Sequence, residues 1–122
     1  MFPPLYELIK NNTAVIAALG DASGIRFDPF GRTKPDPILP YSVWQTVGGS
    51  PENYINDLPN TDHFSVQIDV YGNPGSSVRD AAKALRDALE PHCHITSWRG
   101  ESTDDETKLS RYSFDISFYH YR

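Results

Sequence analysis

Apolar and polar residues alternate most regularly from residue 63 to 71 and again from 112 to 119. A period of two is typical of a β-strand with one buried and one solvated face. The apolar positions of the two segments are Phe64, Val66, Ile68, Val70, Tyr112, Phe114, Ile116 and Phe118. The pattern therefore predicts two half-buried strands that share one apolar face.

Between these two segments the period changes from that of a strand to that of a helix. One stripe of the segment from 78 to 89 is apolar, and it comprises Val78, Ala81, Ala82, Leu85 and Leu89. The opposite side is charged, which is typical of a helix lying on a sheet. We expect Ser76 or Ser77 to be the N-cap and the helix to end near Pro91.

The first half of the chain carries weaker patterns. Pro3 and Pro4 can open a short helix, and Thr13 is a plausible N-cap for a further turn over 14 to 19, either as a second helix or after a kink. A short extended segment over 25 to 27 precedes an irregular, proline-rich loop over 28 to 40. Residues 41 to 47 alternate as a strand, with Trp44 on the face opposite Tyr41 and Val43.

The remaining segments complete the predicted fold. Residues 50 to 61 read as a second long loop, 93 to 97 as a short strand, and the acidic segment 101 to 107 as the loop of a hairpin with the last strand. We therefore predict an α+β fold in which a mainly antiparallel sheet of about four strands packs against one long helix. A short N-terminal helix and long loops accompany it, and residues 1 to 122 form a single domain.

Composition and charge narrow the function. The chain has 39% hydrophobic and 12% aromatic residues and a formal net charge of -5, so it should fold, and it lacks the basic character of most nucleic-acid-binding domains. Cys93 is the single cysteine, which fits a reducing compartment such as the cytoplasm. We expect neither a signal peptide nor a membrane-spanning segment.

Candidate catalytic chemistry is sparse. His92, Cys93 and His94 are adjacent, but in a strand the two histidines point away from the cysteine, and His63 or His120 joins them only if the strands align. Cys93 has no nucleophile signature around it, the carboxylates of 104 to 106 lack calcium-loop spacing, and Gly48-Gly49 lacks a following helix for phosphate. We therefore expect no enzyme activity, no metal and no cofactor.

Aromatic and aliphatic side chains outside the predicted core are the more informative feature. They lie in the two long loops or on strand faces opposite the core, where a small sheet cannot easily bury all of them. One interpretation is a second core face, and the other is protein–protein contact, because aromatic residues are enriched in interface centres. The interface candidates are Phe30, Ile38, Leu39, Trp44, Tyr54, Ile55, Tyr119 and Tyr121.

The order of these segments resembles the tail completion, or tail terminator, proteins of long-tailed bacteriophages. The most similar stretch is PYSVWQTVGGSPENYI, residues 40 to 55. The opening PPLYELIKNNTAVIAALG, the central FSVQIDVYG with SSVRDAAKALRDALE, and the closing YSFDISFYHYR agree with the same family. The resemblance thus covers nearly the whole chain.

The resemblance implies a homo-oligomeric ring, typically a hexamer, that caps the head-proximal end of the tail tube and ends its polymerisation. It further implies contacts with the tail tube protein and the head connector, passage of DNA without specific binding, assembly in the host cytoplasm, and a final place at the head–tail junction of the virion. Three alternatives remain: a head-completion or neck protein, a small metal-dependent hydrolase using His92, His94 and a carboxylate, and a ligand-binding module using the aromatic loops.

Overall fold

The computed structural model describes residues 3–32, 37–51 and 61–121. The helices are α1 (Leu5–Ile9), α2 (Thr13–Leu19) and α3 (Ser76–Leu89), and a 3-10 turn follows over Glu90–His92. The strands are β1 (Gly20–Asp21), β2 (Gly24–Ile25), β3 (Phe27–Pro29), β4 (Tyr41–Pro51), β5 (Thr61–Gly72), β6 (His94–Thr103) and β7 (Ser110–Tyr121). The α+β class is therefore as the sequence predicts.

Among the described residues, the main sheet has five strands in the order β3-β4-β5-β7-β6. β3 runs parallel to β4, and the other three pairs are antiparallel. The prediction of about four antiparallel strands was wrong in number and in the direction of one pair. Its cause is β3, a strand of three residues ending in a proline, which is too short for an alternating pattern.

Three helices in the described ranges, and not one long helix, pack against the sheet. α3 has 14 residues, and its buried stripe covers β5 and β7 as the spacing predicts. The same core includes fully buried residues of α1 and α2, namely Leu5, Ile9, Val15 and Leu19. The N-terminal segment is split into two helices, because the side chain of Asn12 caps the nitrogen of Val15 at 3.1 Å.

Two predicted helix caps were wrong. Thr13 is the first residue of α2 and Asn12 is its N-cap, and at α3 the N-cap is Gly75 instead of Ser76 or Ser77. Gly75 has a φ of 136°, a backbone conformation that residues with a Cβ rarely adopt. The tight turn from β5 into α3 therefore depends on glycine and not on a side-chain cap.

The hairpin of β6 and β7 is confirmed, but β4 and β6 are longer than predicted. β4 continues through Gly48 and Gly49, with a register shift against β5 after Thr46. β6 extends to Thr103 and so includes the first three residues of the predicted acidic loop, and it has register shifts at Thr96 and Arg99. These irregularities break the alternating pattern, which explains why the sequence underestimates both strands.

Candidate interaction surfaces

The face of the sheet turned away from the helices, called here the open face, carries a polar network. The amide nitrogen of Gln67 lies 3.2 Å from both carboxylate oxygens of Asp69, and Asp69 itself is buried. Further along, Arg99 Nε donates to Asp115 at 3.0 Å, and His63 Nε2 lies 2.6 Å from Ser117 Oγ. Polar residues therefore bind one another both along and across the strands on this face.

β7 holds an unusual run of polar atoms on the open face. Arg111 Nε, Ser113 Oγ and Asp115 Oδ1 are buried without a hydrogen-bond partner among the described residues. These three side chains alternate along the strand and so point the same way. A hydrogen bond to Tyr71 raises the pKa of Arg111 above its ordinary value, so this guanidinium is already held in place at one end of the run.

A groove lies at the edge of the sheet that β3 and β4 form, where β3 ends and β4 continues. This β3–β4 groove has a volume of about 480 Å³, and its walls include Pro3, Pro29, Phe30, Trp44 and Thr46. Phe30 is 71% exposed, although its backbone nitrogen is bonded to the carbonyl of Trp44 at 2.8 Å. The backbone thus fixes an apolar ring at the surface.

Trp44, an interface candidate from the sequence, is only 7% exposed. It pairs with Ile68 of β5 and therefore points to the helix-covered face, where its ring stacks on Phe27 with centroids 6.5 Å apart. Its indole nitrogen is buried without a partner among the described residues. Trp44 thus belongs to the core and reaches the groove only as part of its wall.

The other interface candidates lie in several places. Ile38 is exposed and Leu39 half-buried, both just before β4. Tyr119 and Tyr121 are exposed at the C-terminal end of β7, where Tyr119 stacks on His63 with centroids 4.6 Å apart. The predicted candidates Tyr54 and Ile55 lie outside the described residues. Among the described candidates, Phe30 and Trp44 therefore line the groove, Ile38 and Leu39 precede β4, and the two tyrosines lie on the open face.

Sequence reasoning missed an exposed tryptophan on the edge strand β6. Trp98 is 43% exposed, and its inner side packs on Phe114 at 5.0 Å and edge-on against Tyr112 at 5.8 Å between centroids. The guanidinium of Arg86 from α3 lies 5.6 Å from the centroid of the indole. A prediction that extended β6 beyond residue 97 would have included Trp98, because Trp98 lies on the same face as Ile95 after one bulge.

The histidine and cysteine cluster shows no reactive arrangement. Burial raises the pKa of the Cys93 thiol to about 11, and Glu90 adds to the effect, so little nucleophilic thiolate exists near pH 7. His92 and His94 are both exposed. Over the three described ranges, no group of three histidine, cysteine, aspartate or glutamate residues could hold a metal ion.

The acidic turn between β6 and β7 has a structural use for one carboxylate. Asp104 accepts hydrogen bonds from the hydroxyl and backbone nitrogen of Thr107, which lower the pKa of Asp104. On β6, before the turn, Glu101 forms an ion pair with Arg79 of α3, and this bond lowers the pKa of Glu101. These carboxylates stabilise a turn and a surface contact instead of sharing a proton.

Comparison with known proteins shows the class to which this fold belongs. The structure of bacteriophage SPP1 gp17 protein is similar in fold, with a TM-score of 0.54 and 13% sequence identity over 93% of this chain and 84% of that chain. No curated protein matches the chain. The similarity relates the sheet and its helices to those of a bacteriophage protein.

A family model defines the relationship more closely. The model for tail completion protein gp17 matches residues 3–121. The chain belongs to this family of bacteriophage tail completion proteins, which are structural proteins of the tail, as the resemblance of its segments predicts. No helix in the described part of the chain is long and apolar enough to cross a membrane.

Proposed function

We propose that the chain forms a homo-oligomeric ring, a hexamer, that caps the head-proximal end of the tail tube and stops its polymerisation. The observation that carries this proposal is the family match over residues 3–121. In this role the whole chain acts as one domain, assembled in the host cytoplasm and retained at the head–tail junction of the virion. The surface of the ring that faces the head then binds the head connector.

Exposed apolar side chains support an assembly role. Phe30, Ile38, Tyr119 and Tyr121 are among the exposed large hydrophobic residues, and they lie at more than one place on the domain. A ring subunit needs different patches for its neighbours and for the tube, because head-to-tail contacts use two unlike surfaces. The buried Trp44 would contribute to such a contact only as part of the wall of the groove. Tyr54 and Ile55 remain candidates from the sequence.

The charge of the chain suits passage of DNA. A net charge of -5 repels phosphate and would not trap DNA by counterion release. We therefore expect DNA to cross the ring without specific binding. Neither a metal nor a cofactor takes part in this function, which is mechanical and not enzymatic.

Tube capping is the direct test. Purified chain is added to growing tubes of the cognate tail tube protein, and tube lengths are measured by electron microscopy. We expect tubes to stop growing and to carry a ring at one end. Tubes that grow to the same lengths with and without the chain would remove the proposal. Separate pull-downs on heads and on tails decide between tail capping and a neck role, because a neck protein would bind heads alone.

Two variants link the assay to the surface. Tyr121→Ala removes a side chain that is 76% exposed, and we expect weaker capping with an unchanged unfolding midpoint. Ile16→Ala is the matched control, because Ile16 is also a large exposed apolar residue but lies on α2 and is not one of the interface candidates. Equal capping by both variants would exclude Tyr121 from the contact.

A further inference from the structure

The two edges of the main sheet differ in shape. β6 forms one edge along its whole length and presents Trp98, whose outer part is exposed. At the other edge, β3 pairs only with Ser42 to Trp44, so β4 has no β3 partner from Gln45 onward. The β3–β4 groove lies beside this change. One edge thus carries a partly exposed aromatic side chain beside α3, and the other carries a concave apolar surface.

Both features lie on the same side of the sheet. Trp98 is paired with Phe114, and Trp44 is paired with Ile68, and both partners point into the helix-covered core. A second copy placed edge to edge, with its sheet in the same orientation, would therefore bring its Trp98 to the groove of the first. The strand order is compatible with this placement, because β6 and β3 are the two ends of the sheet.

We propose that Trp98 of one copy docks in the β3–β4 groove of the next copy, and that this contact joins successive subunits. The inference rests on the proposed ring and names the surfaces that would form it. Prolines, an exposed phenylalanine ring and Arg32 are among the residues that line the groove. A cation and apolar rings of this kind are the partners that an indole prefers.

The contact is made by side chains and not by a continuous strand ladder. Register shifts at Thr96 and Arg99 twist β6, and such bulges oppose regular pairing at an edge. Trp98 keeps its inner packing on Phe114 and Tyr112, so only its exposed part needs to be covered. An aromatic anchor held rigid before binding loses little conformational entropy on docking.

The size of the surface allows the arrangement. A stable interface buries roughly 800 Å² on each partner. Two such patches, one at each edge, would take about a fifth of the 7493 Å² surface of the described residues. The two patches are unlike, so the contact is head-to-tail, and such contacts close into a ring when the rotation allows.

Two variants and their mixture test the contact by native mass spectrometry over a concentration series. Trp98→Ala removes the anchor, and Phe30→Glu places a charge at the groove on a side chain that is 71% exposed. We expect each variant alone to associate at least about 30-fold more weakly than the wild type, the effect of losing one hot spot. Ile16→Ala, at 47% exposure on α2, should associate like the wild type.

The mixture is the decisive arm. The Trp98→Ala copy keeps an intact groove and the Phe30→Glu copy keeps an intact Trp98, so one productive contact remains. We expect a 1:1 heterodimer and no larger species. A mixture that stays monomeric, or single variants that assemble as well as the wild type, would overturn the inference. Phe30→Glu keeps the test valid even if Trp98→Ala fails to fold.

Tube capping separates this inference from the proposed function. If the wild type assembles only on tubes, the same variants are compared for ring formation at tube ends. Capping by the wild type together with undiminished capping by both variants would reject the Trp98 contact and leave the proposed function intact. A wild type that neither associates nor caps would reject both.

Discussion

On β5 and β7, alternate residues of the same strands form two faces that are stabilised by different interactions. The helix-covered face is apolar and fully buried, as with Ile68 and Phe114, and it is held by packing. The open face also buries Asp69 and Ser113, but it carries polar side chains, and Gln67 donates to Asp69 along β5. The comparison teaches that burial alone does not mark the core of this protein, because polar side chains such as Asp69 and Ser113 are buried on the open face.

The largest effect is expected on the helix-covered face. Phe114→Ala removes a ring with no exposed surface, and such a deletion costs about 3–5 kcal/mol through lost burial and a residual cavity. Urea unfolding measures the loss. Phe30→Ala is the control, because it removes the same ring from an exposed site and should change stability by less than about 0.5 kcal/mol. Equal losses would contradict the assignment of the core.

A smaller but distinct effect is expected on the open face. Asp69→Ala removes the carboxylate that accepts from Gln67 and attracts Arg111, and it leaves those donors less satisfied. The cost of such a change is about 1–3 kcal/mol. The control is Ser65→Ala, on the same face of the same strand. If Asp69→Ala unfolds at the same urea concentration as the control, the polar network adds nothing to stability.

One buried hydroxyl tests a side-chain bond between β4 and β5. Ser42 is fully buried, and its Oγ donates to the backbone carbonyl of Asp69 at 2.9 Å. Ser42→Ala should cost about 1 kcal/mol, the net value of one neutral hydrogen bond. The comparison variant is Ser50→Ala, an exposed serine on the same strand, and the measurement is again urea unfolding. A loss as large as that of Phe114→Ala would mean that packing around Ser42 also changes.

The smallest effect is expected at the outer ion pair of Glu101 with Arg79. The bond to Arg79 lowers the pKa of Glu101 in the folded state, so its stabilisation is present above the unfolded pKa of about 4.3 and is lost as pH falls through the folded value. Glu101→Gln should therefore lower the urea midpoint slightly at pH 7 and not at pH 3. Added salt should reduce the difference at pH 7. A difference that grows on acidification would have the wrong sign.

The candidate surface could be predicted only in part. The sequence places Phe30, Tyr119 and Tyr121 outside the apolar face that forms the core, and all three side chains are exposed. It could not show that Trp44 is buried, because this depends on its pairing with Ile68 and on the short parallel strand β3. Trp98 was missed because the bulges of β6 conceal the length of that strand.

The local periods of the sequence determined what each segment is. A period of two marks β5 and β7, and a helical period marks α3. The period arises because each element buries one face, and that face carries every second side chain of a strand or every third to fourth side chain of a helix. Only the tertiary structure decided the strand order, the parallel direction of β3 and the two unlike edges. Those features arise from contacts between residues distant in sequence, whose pairing no local pattern encodes.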